Sequence, residues 1–414
     1  MNLRSVAPQD KHAERAQQHQ QFTNRAPTVT PKILLYSHDT AGLGNIRRTL
    51  LLAQELTDQY PRAAILIVTG SPMIHAFRIP DGIDYIKLPC LDRVEADRYE
   101  PRFLSACAAE VKQTRQTLLQ NATLGFQPDL MIVDKRPAGI DGELLPTLRA
   151  LRRHHPRTKL ILGVRDILDD PTRTRASLQR TGCFDTIEQY YDEVWIYGTQ
   201  AIFDPIVEYA FPPAVARKTR FCGYLKRPTV LRERPAGPPH VLVTTGGGGD
   251  GSDMIEAYLE GLMALPRRLA LRTTVIFGPQ MPTPRRTALL ERFGYLADVV
   301  FIDFEADLTH HYAEADVVVA MAGYNTVCEL LSHGRRAVLV PRAEPVREQL
   351  IRARLFAARG YCALVEPDDL TPELLMATVL AALEPRSRIE LPLDMEGLPR
   401  IRTRVQSLLA GGAR

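Results

Sequence analysis

From Lys32 onward the chain alternates short apolar runs with longer amphipathic ones. KILLYS (32–37), AAILIVTG (63–70), DYIKLP (84–89), PDLMIVD (128–134), KLILGVRD (159–166) and DEVWIYG (192–198) fill the first half. HVLVTTGGGG (240–249), LRTTVIFG (271–278), DVVFIDF (298–304), ADVVVAMAG (315–323) and RAVLVPR (336–342) fill the second. Runs this short, continuous and rich in Val and Ile predict strands buried on both faces. The segments between them, such as RRTLLLAQEL (47–56), DMIEAYLEGLMAL (253–265) and TVCELLSHG (326–334), have helical spacing. The alternation predicts two consecutive doubly wound α/β domains with parallel sheets, and a ligand outside the carboxyl ends of their strands.

The interruptions set the boundaries. Residues 1–30 are polar and rich in Gln, Arg and Ala, so they bury too little apolar surface to order themselves and read as a tail. KRPTVLRERPAGPP (226–239) accumulates prolines and charges with no apolar period and reads as a linker. The domains are therefore placed at 31–225 and 240–385. The segment 386–414 ends in a short amphipathic helix carrying Ile401, Val405, Leu408 and Leu409, expected to cross back onto the first domain.

Composition narrows the function. Basic and acidic residues nearly cancel, 52 against 48 for a net charge of +4, which asks for no nucleic-acid partner. The six cysteines are scattered, with no CxxC pair, as in a reduced cytoplasmic protein. No apolar run approaches the roughly 20 residues of a membrane span, and the first residues lack a secretory apolar stretch. LRALRRHHPRTK (148–159) is the candidate for a peripheral contact at the inner face of a membrane, against the plainer reading of a solvated helix end. EADRYEPRFLSACAAEVKQTRQTLL (95–119) reads as a long helix able to shape an acceptor pocket.

Two glycine turns carry candidate chemistry. In KILLYSHDTAGLGNIRRTLLLAQEL, Gly42 and Gly44 join a strand to a helix whose free N–H groups favour an anion. HVLVTTGGGGDGSDM repeats this arrangement with Gly246, Gly247, Gly248 and Gly249, a costly run that a phosphate cradle explains. It lacks the lysine of a P-loop and the spacing of a dinucleotide fingerprint. Asp250 and Asp253 would repel a phosphate unless they cap the following helix. His38 and Asp39, ending the first strand, are candidate bases; a turn histidine is the competing reading. Asp134 and Asp166 end two further strands, where loop capping competes with an acceptor role. No Asp-x-Asp pair occurs, and His154/His155 and His310/His311 are neighbours that diverge on a helix, so no metal is expected.

The segment AEADVVVAMAGYNTVCELLSHGRRAVLVP (313–341) resembles the donor-sugar region of the family 28 glycosyltransferases and their relatives, which include the peptidoglycan N-acetylglucosaminyltransferase and the monogalactosyl-diacylglycerol synthases. The ordered set extends the likeness over most of 31–385: the first glycine turn, GYLKR (223–227), GGGG, FIDF (301–304), AGYNTVCEL (322–330) and PRAEPVREQLIRA (341–353). The resemblance implies a GT-B architecture, two Rossmann-like domains facing a central cleft. It also implies inverting, metal-independent transfer from a nucleotide-diphosphate sugar, with UDP-sugar expected, to a hydroxyl on a lipid-linked or small acceptor, and no further cofactor. It puts Ile302 against the base, Gly248 and Gly249 with Gly247 along the diphosphate, and Gly323, Tyr324, Asn325 and Thr326 at the phosphate or sugar. Glu329 would take the ribose, Gln349 the sugar hydroxyls, and Arg227 the phosphates. One departure is chemical: relatives carry histidine where this chain has Asn45, and an amide cannot take a proton. A sugar-nucleotide epimerase of the same two-domain architecture is one alternative reading, and a non-catalytic nucleotide-sugar-binding subunit, to which Asn45 lends weight, is another.

Overall fold

The structure is a computed structural model describing residues 30–38, 42–95, 98–230, 237–266, 269–384 and 393–411. The tail up to residue 29, Asp39, and linker residues 231–236 lie outside the described residues. The first sheet contains β1 (Lys32–Ser37), β2 (Ala64–Thr69), β3 (Ile83–Lys87), β6 (Leu130–Asp134), β7 (Lys159–Arg165), β8 (Glu193–Tyr197) and β9 (Thr219–Phe221). Between β3 and β6, β4 (Leu91–Glu95) and β5 (Arg98–Pro101) pair as a separate antiparallel hairpin. The second sheet contains β10 (His240–Thr244), β11 (Arg272–Ile276), β12 (Val299–Ile302), β13 (Val317–Ala320), β14 (Arg336–Leu339) and β15 (Ala363–Leu364).

The strand orders are β3-β2-β1-β6-β7-β8-β9 and β12-β11-β10-β13-β14-β15. Each order reverses direction once, at β1/β6 and at β10/β13, and it is outside such switch points that α/β sheets leave a crevice. Side chains alternate between faces along each strand. In β1, Ile33 and Leu35 enter one apolar cluster while Leu34 and Tyr36 enter another on the opposite face. That double burial is why these strands read as unbroken apolar runs.

Among the helices between and after these strands are α1 (Gly44–Gln59), α2 (Ala108–Phe126), α3 (Ser252–Met263), α4 (Tyr324–His333), α5 (Glu348–Ala357) and α6 (Gly397–Ala410). The stretch 95–119 is not one helix. Tyr99 and Pro101 are buried and their neighbours exposed, so period-2 burial makes β5, and the helix begins only at Ala108.

The halves share a core. Trp195 and Tyr224 of the first pack in one cluster with Tyr324, Val327 and Phe356 of the second. Within it Arg352 donates from Nη2 to Asp166 Oδ1 at 2.7 Å and from Nε to Oδ2 at 3.0 Å, and Tyr224 donates its hydroxyl to Oδ2 at 3.1 Å. The side chains of Arg352 and Asp166 are 0% and 1% exposed. Helix α6 lies against the first domain: Ile401 and Val405 are fully buried, Arg404 pairs with Glu193, and Arg402 pairs with Glu55 of α1. Asp166 thus meets a partner from the other domain, and its Oδ1 also accepts from Ile167 N–H at 2.8 Å in the loop that follows β7, as the capping reading expected.

Removing one member of a buried pair leaves an uncompensated charge. Asp166→Ala is expected to destabilise the protein by about 3–5 kcal/mol, read as a drop in the urea midpoint. A change below roughly 1 kcal/mol, the range of exposed pairs, would contradict this role.

Candidate active site

Between the carboxyl ends of the two sheets lies a cleft of about 1170 Å³. Each wall is built from a glycine turn and a helix start. On the first-domain wall, Gly42 adopts φ 104°, with open space where a Cβ would stand, and leads into α1, whose N-terminus has no side-chain cap. On the opposite wall, Gly246, Gly247 and Gly249 border the cleft, as do Gly323, Tyr324, Asn325 and Thr326 at the start of α4. That helix also has no side-chain cap. Its first-turn N–H groups and its dipole are the arrangement that receives an anion.

The second glycine run serves two purposes. Gly249 faces open space, whereas a Cβ on Gly248 would clash with the carbonyl oxygens of Phe277 and Gly278. Gly248 is absent from the cleft lining, so its glycine is required by backbone packing. Asp250 does not cap α3; its carboxylate bonds Arg342 at 2.7 Å. Asp253 accepts from the Ser252 hydroxyl at 3.1 Å.

Several residues expected at the ligand also tie the domains together. Glu329 is buried beneath the wall, with Oε1 paired to Arg47 of α1. Asn325 donates to Gly44 O at 2.8 Å and accepts from Arg227 Nη2 at 2.8 Å. Arg227 also reaches Arg47 O, and burial lowers its pKa, opposed by the nearby Glu329. Tyr324 is stacked on Tyr224 and flanked by the guanidinium groups of Arg48 and Arg352. Ile302, on the edge strand β12, is not part of the lining. Gln349 is buried and lines the cleft, and its Oε1 has no hydrogen-bond partner among the described residues, a polar atom that a ligand donor would satisfy.

The candidate bases are placed differently again. His38 is fully buried, edge-on to Tyr99 with ring centroids 6.0 Å apart, and neither ring nitrogen has a hydrogen-bond partner among the described residues. Burial, reinforced by Lys135, Arg136, Arg115 and Arg93, holds it neutral far below the ordinary imidazole range. It does not line the cleft. Asn45 does, but its amide is engaged at both ends, donating to His38 O and accepting from Arg48 at 3.1 Å. Asp134 is paired to the buried Arg48.

Sequence reasoning passed over the cations beside these carboxylates. Lys135, Arg136 and Arg165 line the first-domain wall at the ends of β6 and β7, with Arg93 from the β4–β5 hairpin. The signal was adjacency, since KR follows LMIVD and R precedes the aspartate of ILGVRD. Arg165 pairs with Glu348 of α5 at 2.5 Å. Lys135 is half-buried; burial, then Arg165, Arg136 and Arg93, bring its pKa down to about 7, with Glu348 opposing.

The 148–159 segment offers no apolar membrane patch: Leu148 and Leu151 are buried, and Arg152 bonds Tyr190 O, Thr158 O and Asp192. Exposed apolar side chains near the hairpin are Val94, Phe103 and Leu104, and others, such as Val207 and Tyr295, are scattered over both domains. No helix of the described residues is long and apolar enough to cross a membrane.

Comparison with known proteins fits this geometry. Residues 240–397 match the glycosyltransferase family 28 C-terminal domain. The chain is 32% identical over 182 residues to a UDP-N-acetylglucosamine–N-acetylmuramyl-(pentapeptide) pyrophosphoryl-undecaprenol N-acetylglucosamine transferase of Phenylobacterium zucineum, covering 42% of this chain and 49% of that one. It is 32% identical over 178 residues to the transferase of the same name from Anaeromyxobacter sp., covering 42% and 44%. The chain thus spans about half the length of these relatives. Among solved structures, MurG of Acinetobacter baumannii superposes with a TM-score of 0.56 at 16% identity, over 91% of this chain and 100% of that one. A spinosyn forosaminyltransferase superposes with a TM-score of 0.63 at 15% identity, over 92% and 100%. The fold is GT-B.

A basic group whose pKa is depressed in the folded state binds fewer protons there than when unfolded, so its contribution to stability rises with pH across the window between the two values. For Lys135 that window runs from about 7 to about 10.4. Lys135→Gln is therefore expected to be most stabilising relative to the parent near pH 6–7, with the advantage shrinking toward pH 10. A pH-independent difference in denaturation midpoints would contradict the depressed value.

Proposed function

We propose that the chain is a glycosyltransferase that moves a sugar from a UDP-sugar to an acceptor hydroxyl with inversion, without a metal or further cofactor. The observation that carries this reading is the cleft itself, in which the uncapped N-terminus of α4 and the glycines of the second domain face the glycine turn of the first. The family 28 match covers the donor half. In this reading, the diphosphate lies along Gly246, Gly247 and Gly249 toward the first turn of α4, where backbone N–H groups and the dipole offset the leaving-group charge. Gln349 supplies for a sugar hydroxyl the Oε1 that has no hydrogen-bond partner among the described residues.

The ribose reaches Glu329 only when Arg47 releases it. Arg47 itself lines the cleft, so its guanidinium can turn to the diphosphate as two ribose hydroxyls take over the carboxylate. Donor binding would then exchange one interdomain contact for another rather than strand a buried charge. Asn45 acts as a positioning residue, tying the end of β1 to α1 through its contacts with His38 O and Arg48. The acceptor enters from the first-domain wall, and a peripheral membrane contact through Val94, Phe103 and Leu104 would suit a lipid-linked one.

The test is a thermal-shift series with UDP-, dTDP-, GDP- and ADP-sugars, followed by release of free nucleotide on adding acceptor extract. A ligand at a hundred times its Kd stabilises by about 2.7 kcal/mol, and the UDP-sugars are expected to produce the shift. Glu329→Gln should weaken it at least tenfold in affinity. No shift with any donor would overturn the reading, while a shift without nucleotide release to any acceptor would make the chain a binding subunit.

A further inference from the structure

Moving a sugar to a hydroxyl requires a group that takes the hydroxyl proton, and the described residues bordering the cleft include no histidine. The carboxylates there are already engaged: Asp141 with Lys112 at 2.5 Å, Asp250 with Arg342 at 2.7 Å and Glu348 with Arg165 at 2.5 Å. Asp169 accepts on Oδ1 from the N–H groups of Asp170 at 2.8 Å and Arg347 at 2.7 Å. Burial pushes the Cys183 thiol up to about 12. Lys135 differs from all of these, because its amine borders the cleft with neither a hydrogen bond nor an ion pair among the described residues.

Backbone geometry puts it there. Arg136 N–H donates to Asp134 O at 2.9 Å around Lys135, whose φ is 71°. A three-residue reversal with a positive central φ is rare, and the strain of holding a β-carbon there is met mainly at functional sites. Lys135 N–H donates to Gly163 O of β7 at 2.8 Å, which pins the turn. The turn ends β6 beside β1 at the switch point, and Arg48, bonded to both Asp134 and Asn45, ties that end to the start of α1.

The surroundings of the amine disfavour its charged form. Arg165 faces it from the end of β7, Arg136 stands beside it, Arg93 comes from the hairpin, and the neutral His38 follows β1 nearby. Glu348 of α5 opposes these cations but is bonded to Arg165. Burial, then the cations, leave the amine titrating at about 7, so it carries a free lone pair near neutral pH. We infer that Lys135 is the catalytic base of the transfer, taking the proton of the acceptor hydroxyl; this rests on the transferase reading. The O–H bond breaks as an N–H bond forms on Nζ, and the oxygen's electron pair joins the anomeric carbon. The bond from that carbon to the diphosphate oxygen breaks with its pair left on the diphosphate. The ammonium thus appears as the diphosphate gains charge, and its proton returns to solvent after release.

The experiment follows UDP release by the full chain from the UDP-sugar that gives the largest thermal shift, with water as the hydroxyl. For the parent, kcat/KM is expected to rise with pH through a limb near pH 7 and then level off. Lys135→Arg keeps the cation but has no lone pair to offer. Its kcat should fall about 10²–10⁴-fold, while UDP affinity stays within twofold and the melting midpoint is retained. Azide, an anionic nucleophile that needs no base, should restore release in Lys135→Arg at least tenfold, which a merely structural defect would not permit. Independently, competitive acetylation of the parent, read peptide by peptide, should show the Lys135 amine at half its maximal reactivity near pH 7. A parent that releases no UDP at any pH, a parent-like rate in Lys135→Arg, failure of azide to restore release, or acetylation titrating in the ordinary lysine range would overturn the inference. No thermal shift with any UDP-sugar would remove the transferase reading itself, whereas a shift accompanied by one of those four results removes only the base.

Discussion

Taking a carboxylate and a guanidinium out of water costs several kcal/mol each, offset only where both are fully met. Asp166 and Arg352 satisfy that condition across the domain boundary, with two Arg352 donors on Asp166, the Tyr224 hydroxyl on the same carboxylate, and Arg352 Nη1 on Ala322 O at 2.9 Å. The last contact matters for the site, because Ala322 immediately precedes the turn that starts α4. This ion pair therefore ties the end of β7 to the residue that leads into the α4 N-terminus, alongside the shared apolar core. Tyr324, flanked by Arg48 of the first domain and Arg352 of the second, makes the same connection through its ring.

This constraint divides the residues bordering the cleft into those facing it and those beneath it. Glu329, Asn325 and Arg227 carry the polar groups expected at a donor, yet each is used between the domains. Such contacts are smaller and more polar than the shared core, and a ligand able to replace them in kind can exchange with them. The Asp166 pair, fully buried, offers no such exchange.

The central strands were legible because strands buried on both faces must be continuously apolar, and glycine turns must follow where strands meet helices; the short edge strands β9 and β15 were not. The hairpin was not legible: Tyr99 and Pro101 give only two buried positions at period two, and the following residues have helical composition. The roles of Asp134, Asp166 and His38 were hidden for a common reason. Strand ends bring carboxylates and imidazole toward a crevice, but whether each faces it depends on Arg48, Arg352 and Tyr99 arriving from elsewhere in the chain. The cations at 135, 136 and 165 were visible in sequence, but nothing local distinguished them from solvated charge. Only their convergence with Arg93 from the hairpin gives them meaning.

The most direct test of the central claim, that a nucleotide-sugar binds between the sheets and not elsewhere, is hydrogen exchange of the full chain with and without UDP. Slowed exchange is expected together at 245–250, at the first turn of α4 and at the glycine turn before α1. Protection confined to other surfaces, or none at saturating UDP, would contradict the account.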